Sequence, residues 1–225
     1  MARMIRIPAR GAVAGAALAA ALLTSGCISL LPEPPDPPSI FALRADDDLQ
    51  RAPAAPRVLS VAVMDVQAPT ALAGRELPVV MADGSLAYVR GAVWTEDAPD
   101  AVRSLIIETF DRTGLSRAAA SSTGARADVM LSVDLVSFGL TPSRRRAPAR
   151  ADIVLVARML DGRNRSVLAV ERFAVTGPAG DDGPAGAAAA LGDVARRAAL
   201  DVARWTAGQT VRPGSGPTGP AASGG

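Results

Sequence analysis

The chain has 225 residues, with 24 basic and 22 acidic side chains, and every basic residue is an arginine because the sequence contains neither lysine nor histidine. This composition excludes a Schiff-base lysine, a histidine base, a histidine metal ligand and the lysine of a Walker A loop. The formal net charge is +2 and falls to −1 (2 − 3) when the three arginines of residues 1–26 are set aside. Nucleic-acid binding, which needs a concentrated basic surface, is therefore not indicated.

Residues 1–26 follow the three-part plan of a secretory signal. Positive residues precede an apolar run over residues 11–23, which is shorter than the ~20 residues that a membrane-spanning helix requires. Ser25 and Gly26 then precede Cys27, the only cysteine. This ending resembles the lipobox of bacterial lipoproteins, with Thr24 where leucine is usual. Two interpretations stay open, a lipidated Cys27 or an ordinary signal peptide with an incidental cysteine, and the position of the single thiol favours lipidation.

Residues 27–38 form a predicted tether between Cys27 and a folded domain. Their run of prolines favours extended polyproline II at ~3.1 Å per residue, which makes a spacer of about 30 Å. The alternative is a disordered tether. At the other end, residues 208–225 are rich in glycine, proline and serine and predict a disordered tail. The folded domain is therefore expected over residues 39–207.

Hydrophobic alternation and β-branched residues predict seven strands in this domain. The expected strands are 39–43, 58–66, 77–81, 86–89, 128–138, 153–160 and 167–175. Asp83-Gly84 predicts a hairpin between the third and fourth strands, and residues 161–164 predict another between the last two. The segment 58–66 is apolar on both faces, as a central strand is.

Two helices are predicted, over residues 97–113 and 184–207. Asp97 is expected to cap the first helix, Pro99 fits its first turn, and Gly114 fits the left-handed position after its last turn. Both helices carry an apolar stripe with a spacing of three and four residues. The stripe of the second helix is interpreted as core-facing, with a contact between copies of a homo-oligomer left open. The fold class is α+β, a mainly antiparallel sheet with two helices packed on one face.

The chemistry-bearing residues argue against an enzyme. Acidic residues lie mostly at turns, caps and polar strand faces, and no serine lies in a G-x-S-x-G elbow. No catalytic, cofactor-binding or metal-binding residues are assigned. Arginines of residues 141–150 are interpreted as a solvated hairpin tip in preference to a contact with anionic headgroups or an acidic partner.

Tyr88, the only tyrosine, and Trp94, one of two tryptophans, lie just before the first predicted helix. We expect Trp94 to pack over the N-terminal end of that helix. The alternative is an exposed ring, and in that case Trp94 and Tyr88 would be contacts for a partner protein.

An ordered set of features resembles one family of lipoproteins. It comprises the lipobox, an aromatic-x-Leu strand at Phe41 and Leu43, the loop Ala71-Leu72-Ala73-Gly74-Arg75-Glu76, then Leu86-Ala87-Tyr88, Ala92-Val93-Trp94, and a second helix that carries Trp205. The set resembles the ABC-type transport auxiliary lipoproteins over about residues 27–207. This resemblance implies a non-enzymatic accessory subunit that binds a protein with a mammalian-cell-entry (MCE) domain. The implied system moves phospholipids or related lipids between the inner and outer membranes.

The resemblance also implies a position in the cell envelope. Acyl chains such as palmitate on Cys27 would hold the protein on the periplasmic side, since several chains anchor stably where one is marginal. Residue 28 is isoleucine, not the aspartate that retains lipoproteins at the inner membrane in enteric bacteria, so the outer membrane is expected. The alternative function is an outer-membrane structural or assembly lipoprotein that serves another envelope machine.

Overall fold

A computed structural model describes residues 37–47, 49–50, 59–124, 126–144, 148–180 and 183–209. The predicted signal, Cys27 and nearly all of the predicted tether and tail lie outside these residues. Within them the chain forms eight strands and two helices. In order they are β1 (Ser39–Phe41), β2 (Ser60–Val63), β3 (Glu76–Val80), β4 (Leu86–Trp94), α1 (Ala98–Thr113), β5 (Arg117–Ala120), β6 (Val129–Thr141), β7 (Arg150–Asp161), β8 (Val167–Pro178) and α2 (Gly183–Gly208).

The eight strands form one mixed sheet, which confirms the predicted α+β class. β6, β7 and β8 make a long antiparallel meander, and β3 and β4 are an antiparallel hairpin. The parallel pairs are β2 with β5, β2 with β6, β3 with β6, and β1 with β4. Parallel neighbours need a long crossover, and between β2 and its two neighbours the chain passes through β3, β4 and α1.

Both helices pack on the same face of the sheet and close the core. The predicted stripe of α1 is confirmed, because Val102, Leu105, Ile106 and Phe110 are buried. The stripe of α2 is buried from Leu191 to Val202 and meets the core face of β6 and β7. The strands supply this face with every second residue, as the pleat requires. They are Val129, Leu131, Val133 and Leu135 of β6, and Ile153, Leu155, Ala157 and Met159 of β7.

Of the three features predicted for the ends of α1, the structure confirms two, at Gly114 and Pro99, and differs at Asp97. Gly114 has φ +65° and donates its N–H to the carbonyl of Phe110, and Pro99 lies in the first turn. Asp97 occupies the cap position, but its side chain makes no capping hydrogen bond. The Ala98 amide instead donates to the carbonyl of Gly74 at 3.0 Å, so a neighbouring loop satisfies the first helical donor.

Candidate partner-docking surface

Two apolar side chains of β4 face solvent on the side of the sheet away from the helices. Tyr88 is 47% exposed and Leu86 is 42% exposed, whereas Val89 packs against the core. The Tyr88 hydroxyl donates to the Ala71 carbonyl at 3.4 Å. We call Leu86 and Tyr88 the β4 patch. An aromatic ring beside an aliphatic side chain on a rigid strand is the kind of anchor that protein interfaces use.

The hairpin that presents this patch is fixed by its turn. Gly84 has φ +83°, a conformation that favours glycine, as the Asp83-Gly84 signal predicts. Asp83 Oδ1 accepts hydrogen bonds from the Ser85 hydroxyl at 2.6 Å and the Ser85 amide at 3.0 Å. The hydroxyl bond is the main reason that the pKa of Asp83 lies below its usual value. The turn thus holds Leu86 at the start of β4.

Trp94 lies inside the core, with 1% of its surface exposed. Its ring stacks on Phe138 of β6, with ring centroids 5.9 Å apart. Its backbone is held by Arg75, whose carbonyl accepts from the Trp94 amide and whose Nε donates to the Trp94 carbonyl, both at 2.8 Å. The structure therefore places Trp94 away from any partner-facing surface, and of the two predicted partner contacts only Tyr88 is accessible.

A bulge in β4 explains why these residues face opposite ways. Simple alternation would put Tyr88 and Trp94 on the same face of the strand. Gly91 has φ +75°, and the pairing with β3 jumps from Pro78 opposite Tyr88 to Glu76 opposite Val93. Between these two pairs β4 advances five residues and β3 two, and the odd surplus of three residues reverses the facing of those that follow. Tyr88, before the bulge, faces solvent, and Trp94, after it, faces the core.

A second feature lies where β2 and β6 begin, on the same side of the sheet as the β4 patch. It is a cleft of about 620 Å³ whose lining includes Arg126, Arg163 and Arg165. The sequence predicts the turn over residues 161–164 but indicates no function for these arginines. A local signal exists for two of them, since Arg163 and Arg165 stand within one hairpin turn. Arg126 joins them only through tertiary structure.

The other predicted features give no further site. Arg150 of the arginine-rich hairpin donates to Asp152 Oδ2 at 2.9 Å, and residues 145–147 of that hairpin lie outside the described residues. In the described part of the chain there is no cluster of three potential metal ligands. Neither helix there has the length and hydrophobicity that would let it cross a membrane.

Comparison with known proteins identifies the family. A family model described as ABC-type transport auxiliary lipoprotein component matches residues 41–203, which is most of the chain. This chain belongs to that family. Among curated proteins, none matches it.

Solved structures support the fold of this auxiliary lipoprotein. A Xanthomonas campestris protein of the family model DUF330 is 24% identical, with a TM-score of 0.64 over 75% of this chain and 95% of its own. A second crystal structure, of an uncharacterized protein, is 14% identical, with a TM-score of 0.59 over 76% of this chain and 99% of its own.

Family membership gives the role in outline. An ABC-type transport auxiliary lipoprotein is an accessory component of a transport system, so its partner is a transporter, and the auxiliary role is not a catalytic one. The lipoprotein family places the chain at the cell envelope with a lipid anchor. The predicted resemblance to this family is thereby confirmed.

Proposed function

We propose that this protein is the lipid-anchored accessory subunit of an MCE-type ABC system that moves phospholipids or related lipids between the inner and outer membranes. The observation that carries the proposal is the family match over residues 41–203, directly preceded in the sequence by Cys27 and the proline-rich residues 28–38. The accessory subunit holds an MCE-domain protein near the membrane and catalyses no reaction itself.

The β4 patch is the proposed contact with the MCE subunit. Among the described residues, α1 and α2 cover one face of the sheet and bury its apolar side chains in the core. Tyr88 and Leu86 are exposed on the opposite side, on a strand that the β3–β4 hairpin holds rigid. Exposed aromatic residues on a rigid element lose little conformational entropy when they bind, which makes Tyr88 the proposed anchor.

The proposed position is the periplasmic leaflet of the outer membrane. Acyl chains on Cys27 supply the attachment, and residues 28–38 supply a spacer of about 30 Å between the membrane and the domain. Ile28 follows the lipidated residue and carries no inner-membrane retention signal of the enteric type. Fractionation of inner and outer membranes tests this position independently of the partner.

Co-purification from detergent-solubilised membranes tests the partner. Wild-type protein is expected to recover an MCE-domain subunit, and Tyr88→Ala with Leu86→Ala is expected to lose it. Leu168→Ala is the matched control, because Leu168 of β8 has the same 42% exposure as Leu86 but lies on a different strand. If Leu168→Ala abolishes recovery as fully as the patch variants, the β4 patch is not the contact. Failure to recover any MCE protein in several detergents contradicts the proposed function.

Loss of the anchor tests the organisation of the chain. Cys27→Ala is expected to block lipidation and abolish lipid transport while leaving the domain folded, because every described core residue lies beyond the tether. Full transport by an unlipidated protein secreted with another signal would contradict the proposal. Gene neighbourhood separates it from the alternative of a structural or assembly lipoprotein, since genes for an ATPase, a permease and an MCE protein are expected alongside.

A further inference from the structure

We propose that the arginine-lined cleft at the start of β2 and β6 binds a phosphate group, carried by a lipid headgroup or by a small phosphate ester. This inference does not depend on the identity of the protein partner. It depends on three observations: a cleft whose walls are fixed to each other, an excess of positive charge within it, and an arginine held in a left-handed backbone conformation.

The hairpin turn between β7 and β8 is fixed against the start of β6. The Gly162 amide donates to the Asp128 carbonyl at 3.0 Å. A Cβ at Gly162 would lie 2.1 Å from the Ala127 carbonyl oxygen, so only glycine permits this approach. The contact brings Arg163 and Arg165, which follow Gly162, to the same cleft as Arg126.

The opposite wall is fixed by hydrogen bonds between β2 and the loop before β6. Asp128 Oδ2 accepts from the Ser60 amide at 2.9 Å and from the Ser60 hydroxyl at 2.8 Å. The Asp128 amide in turn donates to Ser60 Oγ at 2.9 Å. These bonds engage Asp128 with the protein itself, and a cleft with both walls fixed is preorganised for a ligand.

The charged residues that line the cleft are three arginines and one aspartate, a net charge of +2 (3 − 1). In the described part of the chain, Arg126, Arg163 and Arg165 form no ion pair with a carboxylate. Several other arginines do form ion pairs with carboxylates, so the three arginines of the cleft differ from them in this respect. The pairs are Arg103 with Asp65, Arg112 with Asp47 and Glu108, Arg150 with Asp152, Arg158 with Asp134, and Arg196 with Asp46 and Asp193.

Arg126, Arg163 and Arg165 line one cleft and are exposed to solvent, so the cleft offers positive charge that an anion from solution can reach. Clefts lined by one sign of charge concentrate field lines and raise the local concentration of the opposite ion. The planar guanidinium donates two parallel hydrogen bonds to phosphate, so arginine recognises phosphate by geometry as well as by charge. The cleft volume of about 620 Å³ is within the range of small-molecule sites, ~300–1,000 Å³.

The backbone of Arg165 supports a binding role. Its φ is +61°, and it is the one non-glycine residue with positive φ in the described chain. Glycine or asparagine adopts this conformation at lower energy than arginine does. Local strain of this kind concentrates at ligand-binding sites, where the side chain is needed despite the conformation.

A smaller apolar pocket of about 170 Å³ adjoins the cleft and shares Ser60, Ala62, Arg126 and Ala127 with it. Its remaining lining includes Val61 and the alanines of β5. A phosphate ester with a short apolar portion therefore fits the cleft and the adjoining pocket together. Its phosphate would lie among the arginines of the cleft, and its apolar carbon atoms would lie beside β5. A short-chain phospholipid has both parts, whereas glycerol 3-phosphate has the phosphate without an apolar portion.

Calorimetric titration of the full acylated protein in a neutral detergent tests the site. The titrants are inorganic phosphate, glycerol 3-phosphate and a short-chain phosphatidylglycerol. Binding of all three indicates that the cleft recognises phosphate itself, and binding of the phospholipid alone identifies a lipid headgroup as the source. In either case the binding affinity is expected to fall as ionic strength rises, because salt screens exposed charges. No heat of binding with any titrant overturns the proposal.

Variants make the test specific. Arg163→Gln with Arg165→Gly is expected to weaken binding at least roughly tenfold, the loss of about one charge-assisted hydrogen bond. Arg165→Gly keeps the left-handed conformation accessible, so the turn is expected to fold. The control is Arg197→Gln with Arg204→Gln, which removes the same two positive charges at exposed positions of α2. Equal weakening by the control and the cleft variant would show non-specific attraction and overturn the proposal.

Discussion

Alternate residues of β6 and β7 point to opposite faces of the β6–β7 hairpin, and the two faces differ in burial and in charge. On the helix-covered face Leu131, Leu135 and Leu155 are buried. On the other face, which we call the open face, Asp134 and Arg158 form an ion pair at 2.6 Å. No helix of the described residues covers the open face.

The difference shows where stability and binding reside. Burial of one leucine contributes about 1.5–3 kcal/mol, whereas an exposed ion pair contributes about 0–1 kcal/mol. The helix-covered face therefore stabilises the fold, and loss of an exposed side chain on the open face affects stability little. Both candidate binding features, the β4 patch and the arginine-lined cleft, lie on the side of the sheet with the open face. Four substitutions test this division, from the largest expected effect to the smallest.

Trp94→Ala removes a ring from the core side and is expected to lower the free energy of unfolding by about 3–5 kcal/mol. Urea unfolding followed by circular dichroism measures the change. Trp94→Phe is the matched control and is expected to lose less, since it keeps an aromatic ring against Phe138 and removes an indole N–H that has no hydrogen-bond partner among the described residues. An unchanged urea midpoint for Trp94→Ala would mean that the ring is not part of the core.

Gly162→Ala forces a methyl group against the Ala127 carbonyl and is expected to cost about 1–3 kcal/mol, the usual range for overpacking. Phosphate binding by the cleft is expected to fall with it, because the hairpin turn must move. Gly208→Ala adds the same methyl group where nothing lies within 4 Å, and its thermal unfolding should match wild type or improve slightly. Equal stability of the two variants would show that the turn is not held against Ala127.

Glu108→Gln tests the solvent side of α1, where the helix holds the loop after β1. Burial tends to raise the pKa of Glu108, but hydrogen bonds from the Ala45 amide at 3.0 Å and from Arg112 outweigh it and lower the pKa below its usual 4.5. A carboxyl with a lowered folded pKa stabilises the fold above the unfolded pKa, and this contribution is lost as pH falls through the folded pKa. The variant is therefore expected to lose about 1 kcal/mol at pH 7.

The difference between Glu108→Gln and wild type should disappear progressively below about pH 4.5, the usual pKa of Glu108. Urea unfolding at a series of pH values measures it. Asp111→Asn is the control, since it removes the same charge at an exposed position of the same helix. A difference between Glu108→Gln and wild type that does not change with pH would contradict the role assigned to the ionised carboxylate.

Arg158→Ala on the open face is expected to change stability least, by about 0–1 kcal/mol, because its side chain and that of Asp134 are both more than a third exposed to water. A double-mutant cycle with Asp134→Ala isolates the coupling between the two side chains. A coupling well above 1 kcal/mol would mean that the open face is shielded from solvent, and the division between the two faces would not hold.

Strong local patterns were sufficient for much of the fold. The three- and four-residue spacing of Val102, Leu105, Ile106 and Phe110 predicts α1, and all four are buried. The alternation along residues 128–138 and 153–160 predicts β6 and β7. The local sequence also predicts the turns, because Gly84 and Gly114 have the positive φ that their positions imply.

Strand β5 has no such signal. Alanine has low β propensity, and the segment Arg117–Ala120 has no alternation. It becomes a strand because the end of α1 delivers it beside β2, where Ala118 and Ala119 pair in parallel with Val61 and Ala62. The parallel pairing of the short strands is likewise a consequence of the crossovers, which local sequence does not encode.

The candidate sites divide in the same way. Tyr88 and Trp94 stand out in the sequence as rare aromatic residues, but the bulge at Gly91 sends one to solvent and the other to the core. The cleft depends still more on tertiary structure, since Arg126 and Arg165 are far apart in the chain and line one cleft because Gly162 lies against Ala127.

By itself the sequence determined the order of the main strands and helices, their core-facing stripes and the resemblance to the family, because these depend on the spacing of neighbouring residues along the chain. Only the tertiary structure decided which face each aromatic residue takes, how the short strands pair and where the arginines gather. Those outcomes depend on contacts between distant segments, such as the bond from the Gly162 amide to the Asp128 carbonyl, and no local periodicity encodes them.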